Sequence, residues 1–228
     1  MKLRNFLTAL SLASAILLPV HAAEGAWDDL LAGNSTAKWR GFKQSDFPAK
    51  GWSIAGDTLH FAKGSGGGDL VTREEYASFE LEFDWKVTAG ANSGVMYRVK
   101  ENFDAPWHTG PEYQLLDDAK HGDGKNPKTS ASALYALIAA NAAKATKPVG
   151  DWNSGRIVLR GSKLEHWLNG QQVVAADLSS PEFAKLVAGS KFKDLPRFAK
   201  EASGHICLQD HGDEVWYRNV RIRRLESK

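Results

Sequence analysis

Residues 78–88, Ser-Phe-Glu-Leu-Glu-Phe-Asp-Trp-Lys-Val-Thr, constrain the fold more than any other stretch of the chain. Phe79, Leu81, Phe83, Trp85 and Val87 alternate with Glu80, Glu82, Asp84 and Lys86. Successive side chains of a β-strand point to opposite faces, so this pattern makes one apolar row and one charged row. A helix would scatter both sets around its axis. The strand is therefore half-buried, and a second layer must cover its apolar face.

Shorter runs of the same kind occupy residues 94–99, 112–116, 156–160, 163–168, 172–176, 205–208 and 215–223. Asn169-Gly170 separates two of them, and Asn-Gly between strand patterns is a strong hairpin signal. Residues 89–92 form a second turn, and the glycine-rich run 64–68 reads as a flexible loop, lacking the Lys-Ser/Thr that a phosphate cradle needs. A helix is expected from Pro181 to about Ala188. Ser180 caps it, Glu182 lies in its first turn and Gly189 stops it. The alanine-rich residues 132–145 are a second, partial helix candidate. Many short strands with frequent turns predict an all-β antiparallel sandwich, or jelly roll, with one or two short helices.

Export is expected from the first 22 residues. Lys2 and Arg4 precede an uncharged, mostly apolar run over residues 6–20, and Val20-His21-Ala22 supplies small residues where a signal peptidase cuts. The run is shorter than the roughly 20 residues of a membrane span. The expected organisation is a signal peptide over residues 1–22 and one β-sandwich domain over 23–228, periplasmic or secreted. Lys and Arg number 29 against 27 Asp and Glu. Losing Lys2 and Arg4 leaves a neutral mature chain, with no electrostatic reason for a nucleic-acid partner or for membrane binding after cleavage. Arg218, Arg221, Arg223 and Arg224 read as the solvated side of a last strand. Cys207, the single cysteine, precludes an internal disulfide and reads as a buried, inert thiol.

A series of phrases runs in order through the mature chain. It begins with Gly68-Asp69-Leu70-Val71-Thr72, Tyr76 and Asn92-Ser93-Gly94-Val95-Met96-Tyr97-Arg98. Gly110-Pro111-Glu112-Tyr113-Gln114-Leu115-Leu116-Asp117-Asp118 and Ala133-Leu134-Tyr135 follow. Lys147-Pro148-Val149-Gly150, Trp152-Asn153 and Glu165-His166-Trp167-Leu168-Asn169-Gly170 come next. The last are Gly204-His205-Ile206-Cys207-Leu208-Gln209-Asp210-His211-Gly212 and Tyr217-Arg218-Asn219-Val220-Arg221-Ile222. Taken together they resemble the 3-keto-disaccharide hydrolase family. The resemblance implies a concanavalin-like β-sandwich and action on sugars oxidised at carbon 3.

A ketone at carbon 3 acidifies the proton on carbon 2. A base can remove it, and the oxygen on carbon 1 can then leave by elimination, with or without rehydration. Such a site needs a base, an acid for the leaving oxygen, and a donor or metal for the developing oxyanion. Glu112 and His211 are the candidate acid and base, in either order. Glu112 and Gln114 share one face of their strand, as do Gln209 and His211, opposite Leu208. Arg98 shares a face with Gly94 and Met96. Arg98, Gln114 and Gln209 are candidate substrate-binding residues, joined by Tyr135 as a hydroxyl donor, Asp84 on the long strand and Trp152 as a stacking platform. Trp107 is a second stacking candidate.

A divalent metal ion polarising the ketone would suit this chemistry. No HExxH or calcium-loop spacing marks its ligands, and His108, His121, Asp123 and His211 stay unassigned. Two other functions fit the fold. One is a lectin-like module that binds sugar without cleaving it. The other is a glucanase with its carboxylates on one strand, for which Glu80, Glu82 and Asp84 are candidates.

Overall fold

A computed structural model describes residues 24–226. The expected leader over residues 1–22 lies outside the described residues. The chain enters through β1 (Asp28–Asp29), β2 (Trp39–Gly41), β3 (Trp52–Ala55), β4 (Thr58–Phe61) and β5 (Leu70–Thr72). Three longer strands follow: β6 (Phe79–Val87), β7 (Asn92–Val99) and β8 (Glu112–Leu116). β9 (Asn153–Arg160), β10 (Lys163–Leu168) and β11 (Gln171–Asp177) lead to α1 (Pro181–Ala188), and β12 (His205–Leu208) and β13 (Val215–Arg224) complete the chain.

All strand pairings are antiparallel. The larger sheet runs β11-β10-β9-β6-β13-β4-β3, with β1 also paired to β13, and the smaller runs β2-β5-β12-β7-β8. Their apolar faces meet in one core. Phe79, Leu81, Phe83 and Trp85 of β6 lie against Val95, Tyr97, Tyr113, Leu115 and Ile206 of the smaller sheet. Aromatic pairs join the layers edge to face: Phe83 with Tyr113 at 5.4 Å and Phe79 with Tyr97 at 6.2 Å. Such pairs add roughly 0.5–1.5 kcal/mol each beyond the area they bury. The fold is the expected all-β sandwich, built from the pattern that opened the sequence.

The hairpin between β10 and β11 turns at Asn169 and Gly170, with φ of 48° and 81°, the left-handed pair a tight hairpin requires. α1 starts as expected, with the Ser180 hydroxyl accepting from Phe183 N at 3.0 Å. The charged row of β6 faces outward, where β13 answers it in register. Glu80 pairs with Arg223, Glu82 with Arg221 and Asp84 with Arg218. The β13 arginines are thus ion-paired across the strands as well as solvated.

The alanine-rich residues 132–145 form no helix. Ser132 and Ala136 adopt φ of 65° and 60°, outside the helical region. The backbone instead pairs along the free edge of β8: Ser132 N donates to Gln114 O at 2.8 Å and Tyr135 N to Glu112 O at 3.1 Å. Covering an open strand edge outweighs the weak helical preference of alanine. The same pairing places Tyr135 beside Glu112.

Candidate active site

The outer face of the smaller sheet is where alternating polar residues converge. Val95, Tyr113 and Ile206 point into the core. Asn92, Gly94 and Met96 of β7, Glu112 and Gln114 of β8, and Cys207 of β12 therefore point the other way. Gln209 continues the β12 alternation, and its N–H donates to Gly94 O at 2.9 Å. A second, small apolar cluster of Val71, Met96, Val99 and Cys207 floors one end of this face. Cys207 is buried, and burial raises its thiol well above the usual range, as expected of an inert cysteine.

A cavity of about 300 Å³ opens on this face. Glu112, Gln114 and Gln209 line it, with Asn92, Tyr135 and His211. Trp107, Lys191 and Phe192 complete it from two loops. Five of the eight sequence candidates, Glu112, His211, Gln114, Gln209 and Tyr135, thus share one site.

Glu112 is 7% exposed, and no hydrogen bond reaches its carboxyl among the described residues. Burial pushes its pKa up to about 8, against the Lys191 charge, which lowers it. The carboxyl lies over Gly94, where a Cβ would come within 1.9 Å of Glu112 Oε1. Gly94 is therefore the residue that makes room for the acid. Gln114 Oε1, Gln209 Oε1 and Asn92 Oδ1 are buried without a partner. The Gln114 amide is oriented by its donation to Thr129 O at 3.2 Å. Orphaned buried acceptors are costly to a fold, and three around one cavity mark a place where a ligand supplies donors.

His211 is exposed at the rim, with Nε2 3.4 Å from Asn92 Nδ2 and its ring centroid 6.1 Å from that of His121. Tyr135 donates to Asp123 Oδ2 at 3.1 Å, and burial together with that carboxylate pushes its phenol up. Asp69, just before β5 and in alternation with Val71 on the same outer face, accepts from Asp210 N at 2.9 Å, and burial raises it to about 6. Among the described residues no three His, Cys, Asp or Glu side chains gather into a metal-binding group.

Three expected residues lie elsewhere. Arg98 is turned out of the site by a bulge. Cys207 pairs with Met96 but His205 pairs with Val99, so β7 carries an extra residue here, and Arg98 takes φ of 54°. Its guanidinium donates to Ala77 O at 2.7 Å and Gly161 O at 2.6 Å, a structural clamp between loops. Asp84 is on the outer face of the larger sheet, accepting from Arg218 and Asn219. Trp152 is held there too, its ring beneath Arg218 at 4.3 Å and Lys86 at 5.1 Å. The glucanase carboxylates Glu80, Glu82 and Asp84 share that face and are bound up in ion pairs.

Sequence reasoning did not assign Lys191, Phe192 or Asn92 to the site. Asn92 reads in the sequence as the end of a turn, but it opens β7 and shares its strand face with Gly94. Lys191 and Phe192 belong to the loop after α1, where no periodicity reports direction.

A family model described as a 3-keto-alpha-glucoside-1,2-lyase-like domain matches residues 26–223. A 3-keto-disaccharide hydrolase of Bacteroides thetaiotaomicron is 32% identical, over 93% of this chain and 82% of that protein. A crystal structure of a candidate glycosyl hydrolase from Parabacteroides distasonis superposes with a TM-score of 0.80 at 31% identity, covering 89% of this chain and 94% of that one. A second from the same organism gives 0.67 at 28% identity, covering 88% and 100%. With a match running through nearly the whole described sandwich, this chain belongs to the 3-keto-alpha-glucoside-1,2-lyase-like family.

Proposed function

We propose that this protein is a carbohydrate-active enzyme that cleaves glycosides oxidised at carbon 3, by removing the proton on carbon 2 and expelling the oxygen on carbon 1. The family and its hydrolase relative support carbohydrate hydrolysis. The observation that carries the finer reading is Glu112, a carboxyl held neutral by burial in a sugar-sized cavity, with an exposed imidazole on the same rim.

With a pKa of about 8, Glu112 is protonated at neutral pH and gives a proton rather than taking one. It is the acid for the leaving oxygen. His211, the imidazole that lines the same cavity, is the base. The orphaned oxygens of Gln114, Gln209 and Asn92 accept from substrate hydroxyls. Trp107, 41% exposed at the mouth, offers an indole face to a sugar ring or aglycone. Water adding across the new double bond gives net hydrolysis. Release without that addition gives the unsaturated keto-sugar.

Export to the periplasm or beyond belongs to the same proposal. It is supported by the basic head and apolar run of residues 1–22, ahead of the domain expected over 23–228. A keto-sugar or other small carbohydrate is the expected partner, with no role for nucleic acid or membrane. The test is to incubate purified protein with a 3-keto-glucoside and with the matching unoxidised glucoside, following aglycone release. Release from the keto substrate alone is expected. Equal release from the unoxidised glucoside would make this a conventional hydrolase, and binding without release would make it a lectin.

A further inference from the structure

Removing a proton from carbon 2 leaves one negative charge, and that charge settles on the oxygen at carbon 3. A cavity that stabilises it needs a donor aimed at that oxygen. Arg98, the guanidinium the sequence offered, is spent on Ala77 O and Gly161 O. The buried amide oxygens of Asn92, Gln114 and Gln209 are acceptors and would repel an oxyanion. Among the side chains that line the cavity, Lys191 is the one permanent cation.

Lys191 is held in an unusual way for a loop lysine. It makes no ion pair or hydrogen bond among the described residues. Its Nζ stands over the Tyr135 ring, 4.5 Å from the centroid, and 5.3 Å from the Phe192 ring. Both rings are fixed: Tyr135 by its hydroxyl on Asp123, and Phe192 by stacking on Phe198 at 3.9 Å. Two aromatic faces therefore hold an uncompensated ammonium at the mouth of an acceptor-rich cavity. Its charge is felt at Glu112.

We infer that Lys191 is a further catalytic residue of this site, whose ammonium receives the oxyanion formed at carbon 3 of the substrate. The inference rests on the reaction proposed above. His211 takes the proton from carbon 2, and the C–H electron pair becomes the C2=C3 double bond. The carbonyl π pair moves onto oxygen, where Lys191 Nζ donates to it. The pair then returns to re-form the ketone while the C2=C3 pair becomes C1=C2. The C1–O bond breaks towards the leaving oxygen, which takes the Glu112 proton. No oxidant or reductant is consumed.

The test compares wild type, Lys191→Met and Lys191→Arg on 4-nitrophenyl 3-keto-glucosides of both anomers. Lys191 is exposed, so both variants should melt within a few degrees of wild type. Loss of one oxyanion donor should lower kcat of Lys191→Met roughly 10²–10³-fold with KM within about threefold, and Lys191→Arg should recover part of it. Without the ammonium, the Glu112 pKa rises, so the alkaline limb of the Lys191→Met pH profile should move to higher pH. A Lys191→Met enzyme with kcat within about threefold of wild type, or a loss confined to KM with an unmoved limb, would overturn the inference and leave the reaction standing. A wild type without turnover on either keto substrate would overturn both.

Discussion

Glu112 occupies the space that a side chain at position 94 would need: a Cβ on Gly94 would fall 1.9 Å from Glu112 Oε1 and 2.7 Å from its carboxyl carbon. The strand pattern tolerates alanine at this position, and the acid does not. Gly94→Ala should therefore cost activity far more than stability. The overpacking penalty is about 1–3 kcal/mol, while displacing the carboxyl should lower kcat by roughly 10²-fold or more. Urea unfolding alongside steady-state kinetics separates the two.

Glu112 also sets a pH dependence. Its folded pKa of about 8 lies above the ordinary 4.5, so the folded state keeps a proton that the unfolded chain gives up. That stability is full below about pH 4.5 and is lost as pH rises through about 8, a decline on the order of 5 kcal/mol. Catalysis fades around pH 8, at the upper end of that interval, as the folded acid loses its proton. Glu112→Gln should flatten the alkaline decline in melting temperature between pH 6 and 9 while abolishing turnover.

The unpartnered amide oxygens predict a trade of stability for binding. Gln114→Met and Gln209→Met each remove a buried acceptor with no partner. Gln209→Met should be neutral or stabilising by up to about 1–2 kcal/mol, Gln114→Met close to neutral because it also loses its donation to Thr129 O, and each should raise KM for the keto substrate roughly 10-fold or more. Thermal melts and KM measured on the same preparations check both halves.

Arg98 shows where the sequence misleads. Strand alternation places it beside Gly94 and Met96, and alternation is right until the chain adds one residue opposite Ile206. A one-residue slip reverses every later side chain, and a bulge leaves no mark in hydrophobic pattern. Arg98→Ala should lose about 1–3 kcal/mol of stability, as the carbonyls of Ala77 and Gly161 lose their charged, part-buried donor. Its kcat per folded molecule should stay within about threefold of wild type.

His166 is a buried histidine with a structural role. Tyr97 Oη lies 3.0 Å from Nε2 and Ser132 O 3.2 Å from Nδ1, and burial pushes the imidazole down to about 3. The stability it contributes is present above about pH 6.5 and is lost as pH falls towards 3, because the unfolded chain takes up a proton that the folded one refuses. The wild-type melting temperature should drop from pH 7 to pH 4. His166→Gln should melt lower at pH 7 and show a shallower acid decline.

What the sequence revealed follows from what alternation can report. Glu112 with Gln114, and Gln209 with His211, were legible because each pair lies two residues apart on one strand or its continuation, and the partner rows Tyr113 and Leu208 fix the sign. The hairpin at Asn169-Gly170 and the cap at Ser180 were legible because their chemistry is local. Asp84 shares the same polar alternation but lies on the other sheet, and alternation gives a face without naming the sheet; Trp152, a candidate stacking platform, had no pattern to place it. Tyr135 reached the site although its segment read as a helix, because pairing with β8 overrode local propensity. Lys191 had no signal, since a loop has no period.

The central claim is that the carbon-2 proton leaves during cleavage. Running the reaction on a 3-keto-glucoside in D2O, and following the carbon-2 position of early product by NMR, tests it most directly. A substrate control without enzyme corrects for spontaneous exchange. The account predicts a released sugar that has lost its original carbon-2 proton, carrying deuterium after rehydration or a double bond without it. Product that keeps protium at carbon 2 while the aglycone is released would contradict it.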